Sequence, residues 1–150
     1  MEKMKIMLVD DEERYLKTTQ KLIEKKGYDV LTALSGEEAL EKLKLQNIHV
    51  VILDVKMPGM DGNQTLKAIK TLYPLVEVIM LTGHGTMDSA IDGLKSGAFD
   101  YLVKPADIDE ILGKALEAYE KKCLALEKIR LAQSKRYMRS PREILKDDDE

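Results

Sequence analysis

The sequence predicts an α/β protein: a doubly wound parallel sheet of five strands, each followed by a helix, with the last helix extended. Three observations carry this. Short aliphatic runs alternate with segments whose apolar residues recur at three- and four-residue spacing. The run Val50 to Leu53 is apolar without alternation, as in a strand buried on both faces. The connections are short, and strict strand–helix alternation places helices on both faces of a parallel sheet.

The elements follow in order. Lys5 to Val9 is the first strand. From Glu12, Tyr15, Leu16, Leu22 and Ile23, with Thr19 between them, form a helical stripe that Gly27 ends. Tyr28 to Ala33 is the second strand. Ser35 with Glu38 is a capping box, and Ala39, Leu40 and Leu43 continue that helix. After the third strand, Val50 to Leu53, a third helix runs through Leu66, Ala68, Ile69 and Leu72 until Pro74. Val76 to Leu81 is the fourth strand. Met87, Ala90, Ile91 and Leu94 stripe a fourth helix, stopped by Gly97. Phe99 to Val103 is the fifth strand, and a long helix starts near Asp107.

The 150 residues suit one domain. A formal net charge of −3 is too small to mark a nucleic-acid-binding surface, so no direct nucleic-acid partner is expected. No apolar run approaches the roughly 18 residues of a membrane span. Met1 to Lys5 leads straight into a strand, without the pattern of a signal peptide. One cysteine, Cys123, cannot form an internal disulfide, and a reduced, cytoplasmic setting follows.

Parallel sheets of this kind bind ligands at the carboxyl ends of their strands. Strand one ends on Asp10, Asp11 and Glu12, strand three on Asp54, strand four on Thr82, and strand five on Lys104 and Pro105. The second strand ends without a charge. If strands one and three are neighbours, Asp10, Asp11 and Asp54 converge, and their repulsion calls for a hard cation such as Mg²⁺. With Lys104 as a fixed positive charge and Thr82 as a hydroxyl donor, the set can hold a phosphoryl group, with a carboxylate as nucleophile. Each residue alone has a plainer reading: helix capping for Asp10–Asp11, a turn for Asp54, a strand end for Thr82, a solvated charge for Lys104. Only together do they specify chemistry.

Asp10–Asp11, Asp54 with Met57-Pro58-Gly59-Met60-Asp61-Gly62, Thr82 and Lys104–Pro105 resemble the receiver domain of two-component response regulators, over about residues 3 to 120. The resemblance implies a flavodoxin-like strand order 2-1-3-4-5. It implies that Asp54 accepts a phosphoryl group from the phosphohistidine of a histidine kinase or phosphotransfer protein. It also implies Mg²⁺ on Asp11, Asp54 and the backbone carbonyl of Lys56, with Asp10 acting through water. Lys104 would pair with the phosphoryl oxygens, across a cis peptide to Pro105. Thr82 would turn toward the phosphoryl group and Tyr101 would swing inward behind it, changing the face of the fourth helix, fifth strand and fifth helix. Lys56 and His84 occupy the places that tune acyl-phosphate hydrolysis. The stretch Leu81 to Pro105 is closest to the nitrogen-regulator (NtrC-like) type, which feeds enhancer-binding activators.

Residues 1–120 are therefore expected to form the receiver, and residues 121–150 a helical extension with a disordered acidic tail from Lys146 to Glu150. Leu112, Leu116, Tyr119, Cys123 and Leu126 are spaced as a short heptad seam, which would pair two copies through the fourth and fifth helices. His49, which begins a buried strand, is expected to be structural. Gly62 is expected to supply a positive φ or room. A Mg²⁺-dependent phosphatase of haloacid-dehalogenase type would need an Asp where Lys56 stands, and a flavin binder would need a phosphate loop after the first strand. No effector domain is visible, so the chain is read as a free-standing receiver or as one cut from a longer activator. A downstream protein effector is expected.

Overall fold

A computed structural model describes residues 3–83 and 86–138, the last three as backbone only. The strands are β1 (Lys5–Val9), β2 (Asp29–Ala33), β3 (Val50–Asp54), β4 (Glu77–Thr82) and β5 (Asp100–Val103). The helices are α1 (Glu13–Lys25), α2 (Gly36–Leu45), α3 (Gly62–Leu72), α4 (Met87–Lys95) and α5 (Ile108–Met138). All neighbouring strands are parallel, in the order β2-β1-β3-β4-β5. The predicted architecture and strand order are those observed.

The sheet separates two cores, because successive strand residues face opposite sides. Met7, Val9, Val51, Leu53, Val78 and Met80 pack with Ala39, Leu43, Leu66 and Ile69 of α2 and α3. Ile6, Leu8, Val50, Ile52, Ile79 and Leu81 pack with Leu16 and Ile23 of α1 and Ile111, Ala115 and Ala118 of α5. All five β3 residues are buried, which explains its unbroken apolar run.

The helical stripes are narrower than the sequence suggested. Leu22, Leu72 and Ile91 are exposed. In α1 the buried line is Leu16, Thr19 and Ile23, and Leu22 lies about 100° away from Ile23 around the helix. In α4 the buried positions are Ala90 and Gly93, and Ile91 is turned outward by the same geometry. Leu72 falls in the last turn of α3.

The Ser35 hydroxyl caps α2 by accepting from the Glu38 amide at 3.1 Å. The Glu38 carboxylate accepts from Leu34, one residue earlier than a capping box requires. A full capping box stands instead at α3, where Asp61 and Gln64 exchange bonds of 2.9 Å each. Gly62 then presses against the end of β3. A Cβ there would lie 2.5 Å from the Asp54 carbonyl oxygen and 2.7 Å from the Val55 Cα. Gly62 thus supplies room, whereas the positive φ of this turn belongs to Gly59, at 74°.

The proposed seam on α5 is divided by the fold. Leu112 is buried and Tyr119 packs on the α1/α5 core, its ring 4.9 Å from that of His49, because the first half of α5 must cover the sheet. Burial ends at Lys122, and Leu124, Leu126, Ile129 and Leu131 are exposed beyond it. His49 is structural as expected: its Nδ1 accepts from the Lys5 amide at 2.8 Å. The predicted acidic tail lies outside the described residues.

Candidate functional site

The pairing of β1 with β3, and of β3 with β4, brings the predicted strand ends to one edge. Val9 stands opposite Leu53, and Asp54 opposite Leu81. Asp10 is almost fully buried, Asp54 is buried and Asp11 is exposed. Carboxylate oxygens of all three lie within 4.8 Å of one another. This is a hard, anionic oxygen set of the kind that suits a small divalent cation, and its donor chemistry fits Mg²⁺. The backbone of Lys56 is adjacent and helps keep the Asp54 carboxylate ionised, while the Lys56 side chain is exposed.

Lys104 reaches this cluster from the end of β5, held by its amide to the Thr82 carbonyl at 2.7 Å. Its Nζ donates to Asp10 Oδ2 at 2.8 Å and lies 3.5 Å from Asp54 Oδ1. The peptide between Lys104 and Pro105 is cis, as the resemblance implied. The other Asp10 oxygen accepts from the Glu12 amide at 2.9 Å, so the buried carboxylate is satisfied on both sides.

The electrostatics divide unequally. Asp54 is pushed up to about 6, first by burial and then by the charge of Asp10, against the pull of Lys104. Burial alone would lower Lys104, but the Asp10 hydrogen bond and the charges of Asp10 and Asp54 raise it instead. Three carboxylates face one ammonium, and Asp54 carries the strain of that imbalance.

The cluster opens into a cavity of about 690 Å³, whose lining includes Asp11, Asp54, Lys56, Met57, Thr86 and Lys104. Thr82 is fully buried beside it. Its hydroxyl donates to the Gly83 carbonyl at 3.0 Å and contacts the Thr86 hydroxyl. Thr86 in turn accepts from the Gly83 amide at 3.0 Å, so the residue just before α4 points back toward Thr82 instead of capping its helix. Tyr101 is half-buried on β5 opposite Met80, packed on the α2/α3 core. His84 lies outside the described residues. Two residues near the site escaped the sequence reading. Thr86 was not singled out, and Tyr15, whose ring lies 5.1 Å from Lys104 Nζ, stood only as part of a core stripe.

A strand-end carboxylate cluster joined by a lysine after β5, on a 2-1-3-4-5 sheet, defines a receiver-type phosphorylation module. Residues 6–116 match the family model described as the response regulator receiver domain. The chain belongs to that family. It is 41% identical over 110 residues to the transcriptional regulatory protein ZraR of Klebsiella oxytoca, covering 73% of this chain and 25% of that protein. Identity to the DNA-binding transcriptional regulator NtrC of Klebsiella pneumoniae is 37% over 116 residues, or 75% of this chain and 25% of that protein. A response regulator receiver domain protein from Clostridium thermocellum superposes with a TM-score of 0.78 at 40% identity, covering 81% of this chain and 98% of that one. NtrX from Brucella abortus gives 0.81 at 29% identity, covering 87% and 30%. The chain thus spans about a quarter of the curated relatives it matches, and its receiver is of the NtrC-like kind. Among the described residues, no helix is long and apolar enough to cross a membrane.

Proposed function

We propose that Asp54 is the phospho-acceptor of a two-component switch in the cytoplasm, charged by the phosphohistidine of a histidine kinase or phosphotransfer protein. The observation that carries this is the approach of Lys104 Nζ to both Asp10 and Asp54, at 2.8 and 3.5 Å, beside the exposed carboxylate of Asp11. An Asp54 oxygen attacks phosphorus, the P–N bond breaks, and its electron pair leaves on the imidazole, which takes up a proton. Asp11, Asp54 and the Lys56 carbonyl would hold Mg²⁺, with Asp10 acting through water. When bound, the ion offsets charge on the phosphoryl oxygens. Lys104 meets the same oxygens with its ammonium. Burial keeps the Asp54 carboxylate poorly solvated, and near neutral pH it is still largely ionised, as a nucleophile must be.

Thr82 then leaves Gly83 and Thr86 for a phosphoryl oxygen, and the space beside β4 admits Tyr101. The altered face of α4, β5 and α5 reports to a downstream protein effector or to a second copy. Exposed Ile91 and Leu116 on that face support such a contact. Lys56 and His84 tune hydrolysis, and phosphorylation and dephosphorylation are self-catalysed. Residues 1–120 act as the receiver and 121–150 as an extension. A second reading, a receiver belonging to a longer transcriptional activator, is favoured by the names and lengths of the relatives.

The test is incubation with a small acyl phosphate and Mg²⁺, followed by intact mass. One phosphoryl group is expected on the native chain and none on Asp54→Asn. Stoichiometric phosphorylation of that variant refutes the assignment.

A further inference from the structure

Tyr15 lies on α1 one helical turn beyond Asp11, and its ring centroid is 5.1 Å from Lys104 Nζ. It is half-buried and packs against the α1/α5 core, with buried Thr19 one turn further along α1. The ring is therefore held by packing along its body. The Lys104 side chain is different: 28% exposed, on a long flexible stem, with two carboxylates competing for one ammonium.

We propose that Tyr15 is a positioning residue for phosphoryl transfer, its ring face holding the Lys104 ammonium in place to meet the phosphoryl oxygens. This rests on Asp54 being the acceptor. A π-face attracts a cation through the ring quadrupole and adds no competing negative charge, whereas another carboxylate would worsen the excess already at the site. Burial raises the phenol above its ordinary value, so Tyr15 stays neutral in the working range. It neither donates nor removes a proton in the reaction. It limits where Lys104 can go.

The consequence is a specific order of variants. Tyr15→Leu and Tyr15→Met keep apolar bulk but lose the π-face, whereas Tyr15→Phe keeps the ring and loses only the hydroxyl. On the full chain, the second-order rate of phosphorylation by acetyl phosphate at saturating Mg²⁺ is expected to fall about five- to tenfold in the Leu and Met variants. Tenfold corresponds to 1.36 kcal/mol of barrier. Beryllofluoride affinity should weaken by a similar factor, and Tyr15→Phe should stay within about twofold on both measures. Melting temperatures separate this from a packing defect, because a merely structural tyrosine would lower stability without setting the Phe and Leu variants apart in beryllofluoride binding. Native-like rates in both Leu and Met variants, or a Phe variant as slow as they are, overturn the inference. A phosphorylated Asp54→Asn chain overturns the underlying reading instead.

Discussion

Replacing Asp54 by Asn should stabilise the metal-free protein at neutral pH. Asn is close in shape to a protonated Asp, so the comparison isolates the charge. In the folded state Asp54 titrates near 6, against an ordinary value of 3.8. Because the folded value is the higher one, the folded state holds its proton more tightly. The associated stability is complete below about pH 4 and is lost as pH rises through 6. A difference of about two units is worth about 3 kcal/mol at pH 7.5, falling to about 1 kcal/mol at pH 4.5. The side chain is only 10% exposed, so solvent screening removes little of this. For a chain of this length, about 3 kcal/mol is roughly 6–12 °C in melting temperature. Thermal or urea unfolding of both proteins in a chelator, at the two pH values, measures it. The Asn variant should be the more stable at pH 7.5, with the gap shrinking at pH 4.5. Millimolar Mg²⁺ should also narrow the gap, by stabilising the native protein more. A gap independent of pH, or an Asn variant less stable at pH 7.5, refutes the reasoning.

Gly62→Ala would drive a methyl group into the backbone at Asp54 and Val55, which cannot turn aside as a side chain could. The expected loss is about 1–3 kcal/mol by denaturant titration, with slower phosphorylation because Asp54, the proposed acceptor, shifts with it. Asp11→Ala removes one carboxylate from the cluster, and Mg²⁺ affinity by titration should fall at least about tenfold, or 1.4 kcal/mol. Truncation after Lys121 removes Leu124, Leu126, Ile129 and Leu131. Sedimentation with and without beryllofluoride should show weaker self-association in the truncated chain, and identical behaviour in all samples would make the distal helix a spacer only.

The fold was legible because each level of the sequence agreed with the next. Val50 to Leu53 is apolar on both faces, and a strand placed centrally in a parallel sheet needs that. The strand ends were legible for the same reason: a charge at the end of a buried run is costly unless a site uses it, so Asp54, Asp10 and Lys104 stood out. The α5 seam was only partly legible where periodicity alone was followed: Leu112 and Tyr119 face the sheet, whereas Leu116 and Leu126 are exposed. A spacing of four and three is shared by a helix facing its own sheet and one facing a partner, and nothing local distinguishes them. Tyr119 is half-buried because His49, 70 positions earlier in the chain, packs against it. That contact is set by topology, not by spacing.

Tyr15 and Thr86 mark a second limit. Each has a complete local explanation, as a stripe residue and as a helix start, so nothing in the sequence left a remainder to explain. Their relation to the site comes from what the strand order places beside them. Lys104 reaches Tyr15 only because its long side chain extends from the end of β5 along the carboxyl edge of the sheet toward β1, with β4 and β3 between them, and Thr86 reaches Thr82 because it bonds back to Gly83. Residues that carry charge at strand ends can be found from sequence, since burying them demands a reason. Neutral residues that steer those charges satisfy packing as well, and geometry is needed to separate the two roles.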